Sequence, residues 1–541
     1  MNAGLRAAAE AWLAEDPDPA TRAELAALLD ADDEAAVADR FAGRLAFGTA
    51  GLRGEMRAGP NGMTSAVVRR AAAGLAAHLT GTGASGPVLV GYDARHRSAD
   101  FARDSAAVLA GAGLDARLLP RPLPTPVLAY AVRALRAAAG VMVTASHNPP
   151  RDNGYKVYLA DGAQIVPPAD AAIEAAIAAV GPLRTVPLSE AYAVLGESIV
   201  DGYVTAVAAL APGTHRELRM VYTAMHGVGA EVVRRVLAAA GFTAPAEVPD
   251  QVEPDPDFPT VAFPNPEEPG AMDRALALAA GVGADIVIAN DPDADRCAVG
   301  MPDPAAGPGG WRMLRGDEVG VLLGDALMRA GTPGTYAATI VSSAQLGALC
   351  AARGVPYGET LTGFKWIVRA AGDLAYGYEE ALGYAVAPGL VRDKDGISAA
   401  LLVADLAAML RAEGRTLADR LDDLAREVGV HVTDQVSVRA DDPALIADAM
   451  RRLRAAPPAA LLGRPVTTVD DLLPDADVLR IRAGGVRVVV RPSGTEPKLK
   501  AYLEVVVPPD RATPLEIARA AAATDLAALR AELAPIVASG A

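Results

Sequence analysis

The stretch Gly140–Tyr158, GVMVTASHNPPRDNGYKVY, decides how the chain is read. Gly140–Thr144 is a short apolar run with the look of a buried strand. The chain then turns through Ala145-Ser146-His147-Asn148, and Pro149-Pro150 forbid an immediate helix. The strand therefore ends by presenting a hydroxyl. With His147 beside it and Lys156 further along the same stretch, Ser146 has the parts of an activated nucleophile: an oxygen, a neighbouring base, and a cation to offset developing charge. On residue types alone, an ordinary polar strand-to-loop turn is the alternative.

Outward from this stretch, strand and helix patterns alternate. Before it come a helix over Val68–Leu79, a strand over Pro87–Tyr92, a helix from Ser98, a strand near Leu118 and a helix from Pro126. Such alternation implies a parallel sheet covered by helices. Gly81-Thr-Gly-Ala-Ser-Gly86 matches the G-x-G-x-x-G pattern, but its glycines follow a helix and precede a strand, the reverse of a dinucleotide site. We assign it as a linker and expect no NAD site. Residues up to about Ala42 read as an alanine-rich helical extension. The glycine-rich run Phe47–Met63 then carries Arg53, either a phosphate-facing guanidinium or a surface arginine in a flexible loop.

A second unit has strands over Leu218–Ala224 and Asp285–Ala289 and a helix over Gly229–Ala240. Its last strand runs into Asn290-Asp291-Pro292-Asp293-Ala294-Asp295-Arg296. Three carboxylates spaced two apart can surround one hard cation, and magnesium (Mg2+) is the natural guest. Arg296 and Pro302 stand where an EF-hand needs its turn glycine and bidentate glutamate, so that motif is excluded. The alternative is an acidic surface turn. A third unit has a strand over Ala337–Ser342, a helix from Ala344, the run Thr362-Gly363-Phe364-Lys365, and a strand over Ala375–Tyr378 leading to Glu379 and Glu380. Paired carboxylates suit a sugar, because each can accept hydrogen bonds from two adjacent hydroxyls. The last unit opens with a strand-like run from His431. It contains VRVVVRPSGTEPKLKAY, in which Arg491, Ser493, Gly494 and Thr495 form a turn that can hold a phosphate; a plain hairpin turn is the alternative.

Composition sets the bounds. A chain of 541 residues is long for a single core at the usual ~100–200 residues per domain. We expect four domains: 1–210, with 1–42 as the helical extension, then 211–312, 313–430 and 431–541. The fold class is α/β: three consecutive mixed or parallel α/β sandwich domains and a C-terminal α+β domain around a central cleft. A net charge of -16 with no clustered basic face excludes a nucleic-acid partner. Only Cys297 and Cys350 occur, which speaks for a reducing, cytoplasmic setting. The amino terminus lacks a signal-peptide pattern, and the uncharged run Ala330–Ala352 is broken by Gly331, Pro333 and Gly334, so no membrane span is expected.

TASHNP followed by NGYK, the Arg53 loop, the aspartate loop and R-P-S-G-T-E-P together resemble the α-D-phosphohexomutase family, the phosphoglucomutases and phosphomannomutases. They occur in the family's order, from Phe47 to about Glu504. The resemblance implies a phosphosugar mutase that moves phosphate between C1 and C6 of a hexose phosphate, glucose 1-phosphate first. It would work through a phosphoserine at Ser146 and a bisphosphorylated sugar, which also serves as activator. The implied catalytic residues are Ser146, His147, Lys156 and Arg53. The implied metal ligands are Ser146, Asp291, Asp293 and Asp295. The implied substrate-binding residues are Arg296, Thr362, Gly363, Lys365, Glu379, Glu380, Arg491, Ser493, Gly494 and Thr495.

Lys156 is expected as general acid/base with a lowered pKa, set by Arg296 and Arg53; a plain phosphate-binding ammonium is its alternative. The partners implied are sugar phosphates, to a monomer or homodimer. Glu379-Glu380-Ala381-Leu382-Gly383-Tyr384 departs from the family's usual serine at 381. With Asp393-Lys394-Asp395-Gly396 it is similar to the branch that includes phosphopentomutases, so phosphomannomutase and phosphopentomutase specificity stay open. An aspartyl-phosphate hydrolase working through Asp291 or Asp293, and a non-catalytic sugar-phosphate sensor, are the alternatives of other classes.

Overall fold

The strand Val88–Tyr92 is buried along its whole length, and the first sheet is assembled around it. This computed structural model describes residues 1–45, 51–307, 309–439, 443–493, 498–510 and 512–538. The chain forms two compact units, Met1–Leu314 with Gly383–Met409, and Arg315–Leu382 with Leu410–Ala541.

In the first unit, Val88–Tyr92 lies parallel to Ala116–Leu118 on one side and to Ala139–Val143 on the other. Asp152–Leu159 then returns antiparallel to Ala139–Val143, and Leu52–Glu55 returns antiparallel to Asp152–Leu159. The sheet is therefore mixed rather than uniformly parallel. The connection between the strands ending at Val143 and beginning at Asp152 is too short for the crossover that a parallel pairing requires. The helices Ser65–Thr82 and Ser98–Gly111 supply Val68, Leu75, Leu79, Phe101 and Leu109 to the core beneath. Gly81 is the penultimate residue of the first of these helices, and Gly83, with φ +66°, closes it. That helix runs further into the glycine run than the linker assignment allowed.

The extension consists of the helices Ala3–Glu15, Pro19–Asp30 and Glu34–Arg40. The side chains of Asn2, Asp18 and Asp33 cap their amino ends. Ala9, Leu25, Leu29 and Val37 form a small core with Ala58 of the Arg53-bearing segment. The second sheet sets Met220–Thr223 parallel to Ile286–Ala289, and Ile286–Ala289 antiparallel to Ala298–Pro302.

In the second unit, Tyr357–Thr360 and Leu374–Glu379 flank Thr335–Thr339, both parallel to it. Thr335–Thr339 ends three residues before the boundary expected at Ser342, because the Thr339 and Ser342 hydroxyls bond at 2.8 Å and close a turn there. The C-terminal sheet is antiparallel throughout, in the order Val430–Arg439, Lys498–Val507, Val486–Pro492, Leu479–Ala483, Arg464–Asp471 and Ala460–Leu461. Leu479–Ala483 alternates buried and half-buried residues, as a sheet with one covered face should. The helices Pro443–Ala455 and Leu515–Ala538 supply Met450, Leu453, Leu529 and Leu533 to that face. No described helix is long and apolar enough to cross a membrane.

Glu504 is a buried charge that ties the second unit's stability to pH. Burial pushes its carboxyl up, but the Arg487 guanidinium and the bonds from His431 and Ser343 outweigh this and hold it at about 2, below its ordinary 4.5. The carboxylate therefore contributes stability above the ordinary value that is lost as pH falls through the folded one. A depression of this size is worth on the order of 3 kcal/mol. In urea titrations, Glu504→Gln should cost stability at pH 7, and the gap to the parent should close between about pH 4.5 and about 2. A gap independent of pH over that window would show that Glu504 is not ionised in the fold.

Candidate active site

Ser146 follows the strand Ala139–Val143 after two residues and takes φ +51°, a left-handed conformation uncommon for a residue with a side chain. Its amide donates to Thr144 Oγ1 at 2.9 Å, and the Thr144 hydroxyl donates in turn to buried Asp93 at 2.6 Å. The loop around it is clamped by Arg95. One guanidinium donates to the carbonyls of Ser146 (2.6 Å), Asn148 (2.5 Å), Pro149 (2.8 Å) and Asp152 (3.2 Å), and its face lies over Phe258. The turn is thus fixed by a cation from the neighbouring strand's end, which outweighs the local backbone cost. Arg95 and Asp93 escaped the sequence reading. The available signal was Asp93-Ala94-Arg95 at the carboxyl end of a parallel strand, where open α/β sheets carry their ligand-binding groups.

The Ser146 hydroxyl donates to Asp291 Oδ2 at 2.7 Å and lies 3.2 Å from His147 Nδ1. Asp291, Asp293 and Asp295 come from the turn after Ile286–Ala289, which Ala294 tightens at φ +55°. All three are fully buried. Lys156, on the strand beside Ser146's own, donates to Asp293 Oδ2 and Asp295 Oδ2, both at 2.8 Å. Thr125 begins the helix Thr125–Ala134 and bonds Asp293 twice, by hydroxyl to Oδ2 (2.6 Å) and by amide to the carbonyl (2.9 Å). Lys394 reaches Asp295 Oδ2 at 3.3 Å. Thr125 and Lys394 are further residues the sequence reading missed. Lys394, a lysine between two aspartates, carries in that spacing a signal of buried charge pairing as well as of the branch.

The electrostatics correct one expectation. Burial pushes the Lys156 ammonium down, but Asp293 and Asp295 outweigh it, and its pKa is raised rather than lowered. Asp295 is held far below the carboxylate range, where burial is overcome by Lys156 and Lys394. Asp291 has no lysine against it, and burial with the charges of Asp293 and Asp295 pushes it well up. Burial, then Arg296 and Arg53, keep His147 well below 6.5, so its ring is neutral near pH 7. Arg53 is half-buried on Leu52–Glu55 and donates to Asn148 Oδ1 at 2.9 Å. Arg296 lies at the end of the aspartate turn, its amide bonded to Asp291 Oδ1 at 3.0 Å.

The triad fits a cation. Its three ligand oxygens lie within 4.8 Å of one another. Asp293 Oδ1 and Asp295 Oδ1 are buried and lack a hydrogen-bond partner, which is costly for carboxylate oxygens unless a cation meets them. Oxygen donors gathered on one turn suit a hard divalent ion.

The remaining expected residues fall in the second unit. Glu380 Oε2 lies 3.3 Å from the hydroxyls of both Thr339 and Ser342, and its amide donates to Ser342 Oγ at 3.2 Å. Glu379 ends the strand Leu374–Glu379. Gly363 takes φ +109° before the short helix Phe364–Ile367, Lys365 is buried with its ammonium 5.7 Å from the Trp366 ring centroid, and Thr362 is half-buried. Arg491 is half-buried on Val486–Pro492, and the Ser493 amide bonds Lys498 at 2.8 Å. Phe47, Gly494 and Thr495 lie outside the described residues.

Known proteins place the chain. The description "Phosphoglucomutase/phosphomannomutase, alpha/beta/alpha domain I" matches residues 44–183, domain II 201–304, domain III 315–428, and the C-terminal domain 435–522. A Haemophilus influenzae protein named "Probable phosphomannomutase" is 49% identical, covering 82% of this chain and 93% of its own. The phosphopentomutase of Mus musculus is 33% identical over 95% of this chain and 92% of its own. The X-ray structure of a phosphoglucomutase/phosphomannomutase family protein from Burkholderia thailandensis shares the fold at TM-score 0.71 and 20% identity, over 91% of this chain and 96% of that one. With the buried serine, the aspartate turn and four domain descriptions matched in sequence order, the chain belongs to the phosphoglucomutase/phosphomannomutase family of mutases.

Proposed function

We propose that the protein moves phosphate between C1 and C6 of a hexose phosphate, converting glucose 1-phosphate to glucose 6-phosphate through phosphorylated Ser146 and a bisphosphorylated sugar. The observation that carries this is the Ser146 hydroxyl, buried and 2.7 Å from a carboxylate of the aspartate turn. In the first half-reaction the bond between phosphorus and Ser146 Oγ breaks as a sugar hydroxyl oxygen bonds to phosphorus, and that hydroxyl's proton passes to Oγ. In the second, the sugar has turned over, the bond between its other phosphate and the sugar oxygen breaks as Oγ bonds to phosphorus, and the proton on Oγ passes to the freed sugar oxygen. His147 is neutral and 3.2 Å away, so it can relay that proton. Added bisphosphorylated sugar primes Ser146 by the same second step.

Magnesium held by Asp291, Asp293, Asp295 and an oxygen on Ser146 would neutralise charge on the transferred group. Lys156 stands as an ammonium fixed by two ion pairs, and we assign it to charge compensation ahead of proton transfer. Arg53 and Arg296 add positive charge around the reacting serine. Glu379 and Glu380 are assigned to the sugar hydroxyls, with Thr362, Gly363 and Lys365 beside them in the sugar site, and Arg491 with Ser493 to the phosphate that is not reacting. A pentose phosphate is the second reading. It is favoured by Ala381 and by the match to a phosphopentomutase along 95% of the chain.

Ser146→Ala should lower turnover at least ~10³-fold, and phosphopeptide mapping of the parent should find phosphate on Ser146. Retained activity with no phosphoserine would instead support an aspartyl-phosphate hydrolase. Asp293→Asn should weaken magnesium binding on the order of 10–100-fold by titration calorimetry, since one charged ligand is lost. Undiminished affinity would place the ion elsewhere. Side-by-side kcat/KM for glucose 1-phosphate, mannose 1-phosphate and ribose 1-phosphate, with bisphosphorylated sugar present, should rank glucose first. A higher value for ribose selects the pentose reading, and no conversion of any of the three leaves a sensor.

A further inference from the structure

One face of the C-terminal sheet carries buried charge that none of the roles above uses. Arg487 and Glu504 are direct cross-strand partners on Val486–Pro492 and Lys498–Val507, and both are buried, at 8% and 2% exposure. They form an ion pair at 2.8 Å. A buried pair of this kind costs desolvation and is weak support for stability on its own. What distinguishes it is where its remaining bonds go. Arg487 donates to the carbonyls of Ile340, at 3.2 Å, and of Ser342. Glu504 Oε1 accepts from the Ser343 hydroxyl (2.7 Å), the Ala344 amide (2.9 Å) and His431 Nδ1 (3.1 Å). Asp317 adds a bond from the Ser343 amide at 2.7 Å. Consecutive residues of the turn after Thr335–Thr339 are thus held by charges from outside it.

That turn bonds Glu380, which follows the neighbouring strand Leu374–Glu379. The Ser342 hydroxyl meets the Glu380 amide and Oε2, with Thr339 as its companion. The sheet face is continuous, because side chains at 487, 489 and 491, and at 502 and 504, point the same way on paired strands. Val489 and Tyr502 pack there against Ile340 and Val341, so a shift of the turn would be felt across the whole contact.

We infer that Arg487 and Glu504 are positioning residues for Glu380: they fix the turn 340–343 and, through the Ser342 hydroxyl, the carboxylate that meets the sugar. This rests on the reading of Glu380 as a sugar contact. Neither residue reaches substrate itself, so its loss is felt in affinity rather than in the chemical step.

The test is a double-mutant cycle on the full-length enzyme, with KM and kcat measured separately for glucose 1-phosphate or whichever sugar phosphate the parent turns over best. Glu380→Gln should raise KM. Glu504→Gln and Ser342→Ala should each raise KM about tenfold and change kcat less than about threefold, and combining either with Glu380→Gln should add little to Glu380→Gln alone. If Glu504→Gln is folded and leaves KM within about twofold, or if the effects multiply in the double variant, the positioning role is overturned while the sugar contact stands. If Glu380→Gln leaves KM unchanged, the sugar contact falls and the inference falls with it. Should Glu504→Gln fail to fold, Ser342→Ala decides by the same criteria, since it removes only a hydroxyl.

Discussion

The ion pairs of Lys156 with Asp293 and Asp295 are the constraint on which the first unit's centre depends. Three carboxylates with essentially no exposure carry a desolvation cost of several kcal/mol each, which only partnered charge can offset. The partners are distant in sequence. Lys156 comes from the strand Asp152–Leu159 of the first sheet, Thr125 from the start of a helix, and Lys394 from the segment that rejoins the first unit after Gly383. Burying the aspartate turn therefore obliges three chain segments to meet, and Ser146 lies among them because its strand neighbours that of Lys156. The same arithmetic explains why the charge is unevenly settled. Asp293 and Asp295 have lysines against them, whereas Asp291 meets the Ser146 hydroxyl, the Arg296 amide and, at 4.0 Å, His147, so the carboxyl beside the nucleophile is the one pushed up.

A second constraint fixes the nucleophile's direction. Left-handed backbone at Ser146 costs on the order of 1 kcal/mol or more, and it persists because Arg95 bonds carbonyls on both sides of the turn while Asp93 anchors Thr144 beneath it. Charge-assisted bonds are roughly twice as strong as neutral ones, and a rigid planar donor serving four acceptors loses little entropy per bond. The loop is a preorganised support for phosphoryl transfer, which asks mainly for positioning and electrostatics.

The alternation of strands and helices was legible because it depends on local apolar period, and the buried strands were found within about two residues. So was the aspartate turn, whose spacing is its own signal. The illegible features are those set by distant partners. Thr335–Thr339 ends early because a hydroxyl from Ser342 closes the turn, and nothing in the apolar run Ala337–Val341 announces it. The antiparallel return at Asp152 follows from loop length rather than from the strand's own composition. Lys156 was read as lowered because two arginines lie near it in the family's pattern; the two carboxylates that actually bond it come from the second sheet. The four acceptors of Arg95 lie 51–57 residues away in sequence, so its clamping role too is set by distant partners.

The reading of a mutase also limits how its sugar can be chosen. A substrate that must react at either end binds in two poses, and a group that recognised one pose strongly would stabilise that ground state without helping the other. Carboxylates such as Glu379 and Glu380 suit this because each accepts from pairs of hydroxyls rather than from one defined atom. Selectivity built on such contacts is modest where the competitor differs by a carbon: the loss of one methylene is worth about 1–3 kcal/mol. On the proposed sugar contacts, the choice among glucose, mannose and a pentose would depend on how firmly these carboxylates are held as well as on which residues are present. A carboxylate fixed by a buried ion pair through a single serine hydroxyl can be moved by substitutions that never touch the sugar. This gives a physical reason why relatives of this chain carry different sugar names.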